Sequence, residues 1–350
     1  MEAIDIRPLI EEIKKCVVRH ELEEKGAYAR WLWEGGIWGD GGEPRTLGKN
    51  EYGCADAANI LYTINDFYCD EQTRRARIHE IQIMQNPDTG LFTEQSHDPL
   101  HTTAHCLAAL QLFDEKPLYK LTALHKYYDK AELYSLLDGL DWEYNPWQQS
   151  HLGAGIYAAF VNADEITKEF SDNYFAWLYG NADPVTGFWK RGNGEYALCT
   201  PERTVDGKAS LYNCMAGGFH YIFNMQYAKE PLPYPEKIID SCIRLFTENG
   251  LPDTFMKKCN FLEADWLYCL TRAGRQTDYR RAERIALTEE FAKIYCNNLL
   301  GLDFMHDEHF NDLHLLFGAV CAIAELQSAL TGKIITEKPL RLVLDRRPFI

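Results

Sequence analysis

A loop built on Thr-Gly recurs along the chain and constrains its fold more than any other feature. Aligned on that dipeptide, NPDTGLF (Asn86–Phe92) matches DPVTGFW (Asp183–Trp189). ENGLPDTF (Glu248–Phe255) carries the same Gly-plus-apolar turn, and EGGIWGDGG (Glu34–Gly42) is a further Gly-aromatic loop. Each follows one helical stretch and precedes another. A unit of this kind cannot bury its apolar face alone, so neighbouring units must stack.

The helices that follow the loops share a style. NEYGCADAANILYTI, LHTTAHCLAALQLF, SHLGAGIYAAFV, SLYNCMAGGFHYIF, NFLEADWLYCLT and NDLHLLFGAVCAIAEL start polar, then turn apolar nearly all round, with Ala and Gly permitting close approach. The stretches before the loops, such as RRARIHEIQIMQ, PEKIIDSCIRLFTE and TEEFAKIYCNNLL, are amphipathic, as surface helices are. Counted this way there are about six outer–inner pairs, roughly 35 to 60 residues apart. TGKIITEK and RLVLD are the best strand candidates, and both are short. The pattern predicts an all-α fold, a closed ring of helical hairpins. No compositional break divides the 350 residues, so a single domain spanning 1–350 is expected.

Such a ring resembles the α/α toroid, the (α/α)6 fold shared by six-hairpin glycosidases, terpenoid cyclases and protein prenyltransferase β-subunits. IMQNPDTGLF, and more loosely DPVTGFW, is similar to the Gln- and Gly-aromatic loops of the terpenoid cyclase branch. The resemblance covers roughly residues 10 to 330 in pattern and speaks to fold more than to function. It implies a central cavity whose mouth is lined by the N-termini of the inner helices, with their free N–H groups.

Polar residues on the first turns then become the candidate site. The successive inner helices offer Glu51, Tyr52 and Asp56; Asp98, His101, Thr102 and His105; Gln148, Gln149, Ser150 and His151. The later ones offer Lys208, Tyr212, Asn213 and, deeper, His220; then Asn260, Glu263 and Asp265; then His306, Asp307, Glu308, His309, Asp312 and His314. His101 and His105, four apart, share one helix face at metal-ligand spacing. No Glu occupies the second position of that motif, so hydrogen-bonding cavity histidines are expected, with no metal and no cofactor. Glu263 and Asp265 point about 200° apart on a helix. One of them, buried beside Trp266, has the setting of a general acid. Trp38 and Trp189 flank Gly loops, where flat rings suit stacking on sugar faces.

Three functions compete. A carbohydrate-active enzyme, a glycosidase or a related lyase or epimerase, would use Glu263 or Asp265 as acid and Asp56, Asp307 or Asp312 as base. The cavity side chains His101, His105, Tyr52, His151, Tyr212, Asn213, His220, Trp266, His309, Trp38 and Trp189 would then hold the substrate. A terpenoid cyclase or prenyltransferase is disfavoured: the Asp-x-Asp-Asp motif is absent, and the Asp-x-Cys of IIDSC lies on a helix read as outer. A non-catalytic ligand-binding toroid is the third.

The balance of 36 basic against 52 acidic residues, net −16, speaks against nucleic-acid phosphates and anionic membranes as partners. A small molecule or oligosaccharide is expected instead, and the sequence marks no oligomeric state. Eleven singly spaced cysteines, with no secretory start, point to a reducing cytoplasm. The tail KPLRLVLDRRPFI is read as docking across the outside of the ring.

Overall fold

Short polar side chains set where the helices of this chain begin. The structure, a computed structural model, describes residues 1–34, 45–189, 204–205, 207–248 and 261–350. In chain order its first helices are α1 (Arg7–His20), α2 (Glu51–Thr63), α3 (Glu71–Gln82), α4 (Pro99–Leu112), α5 (Lys130–Gly139), α6 (Pro146–Asn162) and α7 (Lys168–Asn181). Then come α8 (Leu211–Ala228), α9 (Pro235–Glu248), α10 (Phe261–Ala273), α11 (Arg281–Leu300), α12 (Glu308–Asn311), α13 (Leu313–Ala329) and α14 (Val343–Arg346). Asn50 caps α2 by accepting from the N–H groups of Tyr52 and Gly53. Asp98, Ser210 and Asp312 do the same for α4, α8 and α13. Each cap satisfies donors that a helix start leaves without a partner. Proline in the first turn of α4 and of α6 adds a preset φ.

The fold is all-α. Strand pairing among the described residues is limited to two-residue pieces, Ile4–Asp5 with Ile334–Ile335 and Thr204–Val205 with Lys208–Ala209. The first of these realises the strand expected in TGKIITEK; RLVLD instead contributes to the short helix α14. Six helices, α2, α4, α6, α8, α10 and α13, pack each on the next in that order, and α13 packs back on α2. They are the apolar segments that follow the loops. In α8 every residue from Leu211 to Met225 is buried, as the all-round apolar pattern requires. Gly217 lets α8 approach α6: a Cβ there would lie 2.9 Å from the Pro146 carbonyl oxygen. α1, α3, α9 and α11 pack outside this inner set, and α5 and α7 pack on each other and on the 3-10 turn Thr122–Tyr128. α9 buries a stripe that includes Ile238, Ile239, Cys242, Leu245 and Phe246 and leaves its charges outward.

The two Thr-Gly loops adopt one conformation. Gly90 N–H donates to the Asn86 carbonyl at 2.8 Å, and Gly187 N–H to that of Asp183 at 2.8 Å. Asn86 and Asp183 each accept with a side-chain oxygen from the two backbone N–H groups inside the loop. Gly90 and Gly187 sit at φ 77° and 82°, where only glycine is comfortable. Phe92 then donates its N–H to Thr103 Oγ1 at 2.9 Å, which fastens the loop to α4.

The tail departs from expectation. α14 packs on both α2 and α8, and Arg347, Phe349 and Ile350 are buried against the inner helices rather than laid over the outside. Its apolar residues, Leu342, Val343, Leu344, Phe349 and Ile350, are too many for a surface strap. Burying them stabilises the chain more in the interior than outside.

Candidate functional site

Five of the six inner helices, together with loop residues, surround a cavity of about 630 Å³. α4 contributes His101, α6 contributes Trp147, Gln148, Gln149 and His151, and α8 contributes Phe219 and His220. Phe261 and Asp265 come from α10, His314 and Leu315 from α13, and Arg30, Gln95, Ser96 and His97 from loops. Its size is that of a small-molecule site.

The centre of the wall is organised by one carboxylate. Asp56, on α2 and fully buried, faces two imidazoles: His105 Nε2 at 2.8 Å from Oδ1 and His314 Nδ1 at 3.1 Å from Oδ2. Burial opposes ionisation of Asp56, but the two imidazoles outweigh it and hold the carboxyl below its ordinary range. An ionised carboxylate only accepts, so both histidines donate to it. His105 Nδ1 is then a lone pair with no partner among the described residues. The His314 ring, with Nδ1 on Asp56, lies on the cavity wall.

These three side chains also form the candidate metal site of the described residues, with ligand atoms all within 4.8 Å of one another. A two-histidine, one-carboxylate set suits zinc or non-haem iron. As they stand, each carboxylate oxygen lies at hydrogen-bond distance from a different ring.

Around this triad the rings stack. Tyr52 lies between His97 and His105, with centroids at 4.5 and 4.6 Å, and its hydroxyl meets His101 Nδ1. His101 touches His151 at 4.3 Å, and His151 meets His220 at 4.6 Å, edge to face. Ser150 Oγ lies 2.8 Å from His220 Nδ1. Burial lowers all of these imidazoles: His97 and His105 to about 4, His220 to about 3, and His101 and His151 well below the usual value. They stand as neutral rings at neutral pH. Arg30 is locked in place by a bidentate pair with Asp312 at 2.9 and 3.2 Å and by Glu94 at 3.4 Å, with its guanidinium over Tyr52 and Trp31.

Asp265 is the opposite case to Asp56. It is 1% exposed, and its Oδ2 has no hydrogen-bond partner among the described residues. Burial, reinforced by Glu263 nearby, drives its carboxyl well above the ordinary range, toward the neutral acid.

The structure thus places His101, His151, His220, His314 and Asp265 on the cavity wall, with Tyr52, Asp56 and His105 buried behind it in contact with those rings. Asp312 joins through Arg30. The remaining candidates are placed otherwise. Glu263 is buried on α10 but does not line the cavity. Trp266 donates to the Cys242 carbonyl and stacks on Phe291, toward the outer helices. Trp189 is fully buried and donates to the Leu178 carbonyl. Asn213 accepts from the Trp147 N–H, and neither it nor Tyr212 lines the cavity. Asp307 caps α12 and pairs with His309 at 2.7 Å, outside the cavity lining. Trp38 and Asn260 lie outside the described residues. Arg30 was not singled out from the sequence, although a lone cation in the aromatic stretch AYARWLW was a usable signal. Comparison of the chain with protein-family models, with curated proteins and with solved structures returns no match in any of the three.

Proposed function

We propose that this chain is an α/α toroid with a carbohydrate-active cavity that works by paired acid and base. His314 is the base and Asp265 the acid. The cyclic order of the six inner helices supports the toroid, and the placement of first-turn residues around one cavity supports the site. The observation that carries the reading is the contrast between two aspartates. Asp56 fixes His314 with Nδ1 as donor, which leaves Nε2 as the proton acceptor on the wall. A buried carboxylate plays the same orienting part in hydrolase triads. Asp265, on the same wall, holds a proton to give.

Among the carboxyls lining the described wall, Asp98 is an exposed helix cap and burial pushes Asp265 toward the neutral acid. Hydrolysis by two carboxylates flanking a glycosidic bond is therefore less well supplied than proton transfer, and the lyase or epimerase form of the reading is favoured. In that form His314 Nε2 takes the proton from a carbon beside the sugar carbonyl while Asp265 protonates the carbonyl oxygen, giving an enol. As the carbonyl re-forms, Asp265 takes back the enol O–H proton. When the enol has turned over within the site, the His314 imidazolium returns its proton to the opposite face and gives the epimer. In the lyase form a hydroxyl on the next carbon leaves as water, protonated by the same imidazolium, as the carbonyl re-forms beside a new C=C bond. The neutral amides and imidazoles of the wall hold the hydroxyl groups.

The test is solvent exchange. Neutral aldoses and ketoses incubated with the protein in D2O are followed by proton NMR at the carbon beside the carbonyl. Exchange is expected, and His314→Asn or Asp265→Asn should slow it by roughly 10²- to 10⁴-fold. Release of reducing ends without carbon-bound exchange would move the assignment to hydrolysis. No turnover of any sugar would remove the carbohydrate reading.

A further inference from the structure

The segment that enters the ring closes it. Arg347, fully buried, donates to Asn59 Oδ1 on α2. The Pro348 carbonyl accepts from Asn162 Nδ2 on α6 at 3.0 Å. The Phe349 ring stands edge-on to His101 of α4 at 4.8 Å and to Phe223 of α8 at 5.7 Å. Arg347 also lies over Phe317 of α13 at 5.9 Å. Three consecutive residues thus touch five of the six inner helices. Ile350, 3% exposed, ends up on the cavity wall together with Phe219, His220 and Asp265. On its other side lies a separate small apolar void lined by Ala264, Tyr268, Val343 and Leu344. Ile350 and Phe219 border both spaces. Ile350 is the partition between them.

We infer that Arg347–Ile350 is the floor of the site and that Ile350 is its specificity-determining side chain. A ring plugged in this way is blind. A substrate enters and leaves by the mouth at the helix starts, so the site takes a free small sugar or the terminal unit of a chain and excludes the interior of a polysaccharide. The inference rests on the carbohydrate reading for the identity of the ligand, while the floor itself rests on packing alone.

Two measurements separate these. In the first, unfolding midpoints of the natural protein, Ile350→Ala and Ile350→Trp are recorded with glucose and the malto-oligosaccharides up to the pentaose, and with the matching mannose and galactose series. The natural protein should be stabilised by mono- or disaccharides, with no added effect of longer chains. Ile350→Trp should abolish that stabilisation, and Ile350→Ala, which joins the cavity to the small void behind it, should change which of the three monosaccharides stabilises most. Stabilisation that rises with chain length up to the pentaose in the natural protein, or a profile unchanged in both variants, would overturn the floor. In the second, which needs no sugar, Ile350→Cys in the folded protein is treated with methyl methanethiosulfonate and with a polyethylene glycol maleimide, and modification is read at that residue by mass spectrometry. The small reagent should react and the large one should not. Reaction with both, or with neither until the chain is unfolded, overturns the floor even if no sugar binds. Sugar silence combined with size-selective labelling would overturn the carbohydrate reading and leave the floor standing.

Discussion

A carboxyl with an unpartnered oxygen inside a protein opposes folding, and Asp265 is such a group. Its folded carboxyl titrates above the unfolded value, so the native state keeps a proton that the unfolded chain has released. The stability tied to that proton is fully present below the ordinary carboxylate range and is lost as pH rises from there toward the folded value. Asp265→Asn does not titrate. Its unfolding midpoint should therefore gain on the natural protein as pH is raised from about 4 upward, while proton exchange on sugar is lost. A midpoint difference that stays flat with pH would show that Asp265 is ionised in the fold. Asp56→Asn should also slow the chemistry, by a different route. An amide offers one acceptor and one donor group, so one of the two imidazoles must reverse its tautomer. When that ring is His314, its Nε2 carries the proton and no longer serves as base, and exchange should fall by roughly 10²- to 10⁴-fold. Stoichiometric cobalt(II) should give no tetrahedral absorption band in the natural protein; such a band, lost in Asp56→Asn, would replace the triad by a metal centre. The members of this site were legible one by one, because polar residues on the first turn of an apolar helix stand out. Their pairing was not. Asp56 and His314 lie 258 positions apart, and no local spacing connects them.

At the scale of elements the loops were the clearest signal, because a Thr-Gly turn needs a left-handed residue wherever it occurs. The contacts of that residue are invisible in the sequence. A Cβ on Gly90 would lie 2.1 Å from the Lys120 carbonyl oxygen, and one on Gly187 would lie 2.5 Å from the Ile238 backbone nitrogen. Gly332 has almost the same φ as Gly90, 76° against 77°, with nothing within 4 Å of the added atom. The pair separates two costs. Gly332→Ala should lose only the left-handed penalty, about 1–2 kcal/mol. Gly90→Ala must in addition displace the backbone before Leu121 and should lose more than Gly332→Ala, read as the shift in urea midpoint. Equal losses would mean that the loop has room to move. The inner helices were legible for a related reason: a segment apolar on every side has nowhere to go but the interior. The tail was not, because thirteen residues that mix basic with apolar side chains fit a surface strap as well as a plug. Deciding between them takes the hydrogen bonds to Asn59 and Asn162. Phe349 adopts φ 130°, a conformation rarely taken by residues with a side chain, and the packing around the plug holds it there.

The whole molecule pays for its histidine-lined interior in acid. Burial lowers His97, His101, His105, His151 and His220, so between the ordinary histidine value and the folded values the unfolded chain binds protons that the native state refuses. Stability from these groups is present above about 6.5 and is lost as pH falls below it, the reverse of the Asp265 effect. Each group contributes a slope of about 1.4 kcal/mol per pH unit within its window. Asp265 and Glu51, both raised by burial, supply slopes of opposite sign from about pH 4 upward, and His20 is lowered by burial as well, so with six histidines against two carboxyls the histidines decide the net direction between pH 6.5 and 4. A domain of ordinary stability has only about 5–15 kcal/mol to lose. The chain should therefore unfold cooperatively on mild acidification, before its carboxylates titrate. Replacing two of the rings that make no hydrogen bond to Asp56, as in His151→Gln with His220→Gln, should flatten the dependence by up to about 2.8 kcal/mol per pH unit. The measurement is the urea midpoint from pH 7.5 to 4.5 for the natural protein and the double variant. A natural protein whose stability is level across that range would mean that the rings take up protons in the folded state, and a neutral base at His314, surrounded by cations, would then have lost its setting.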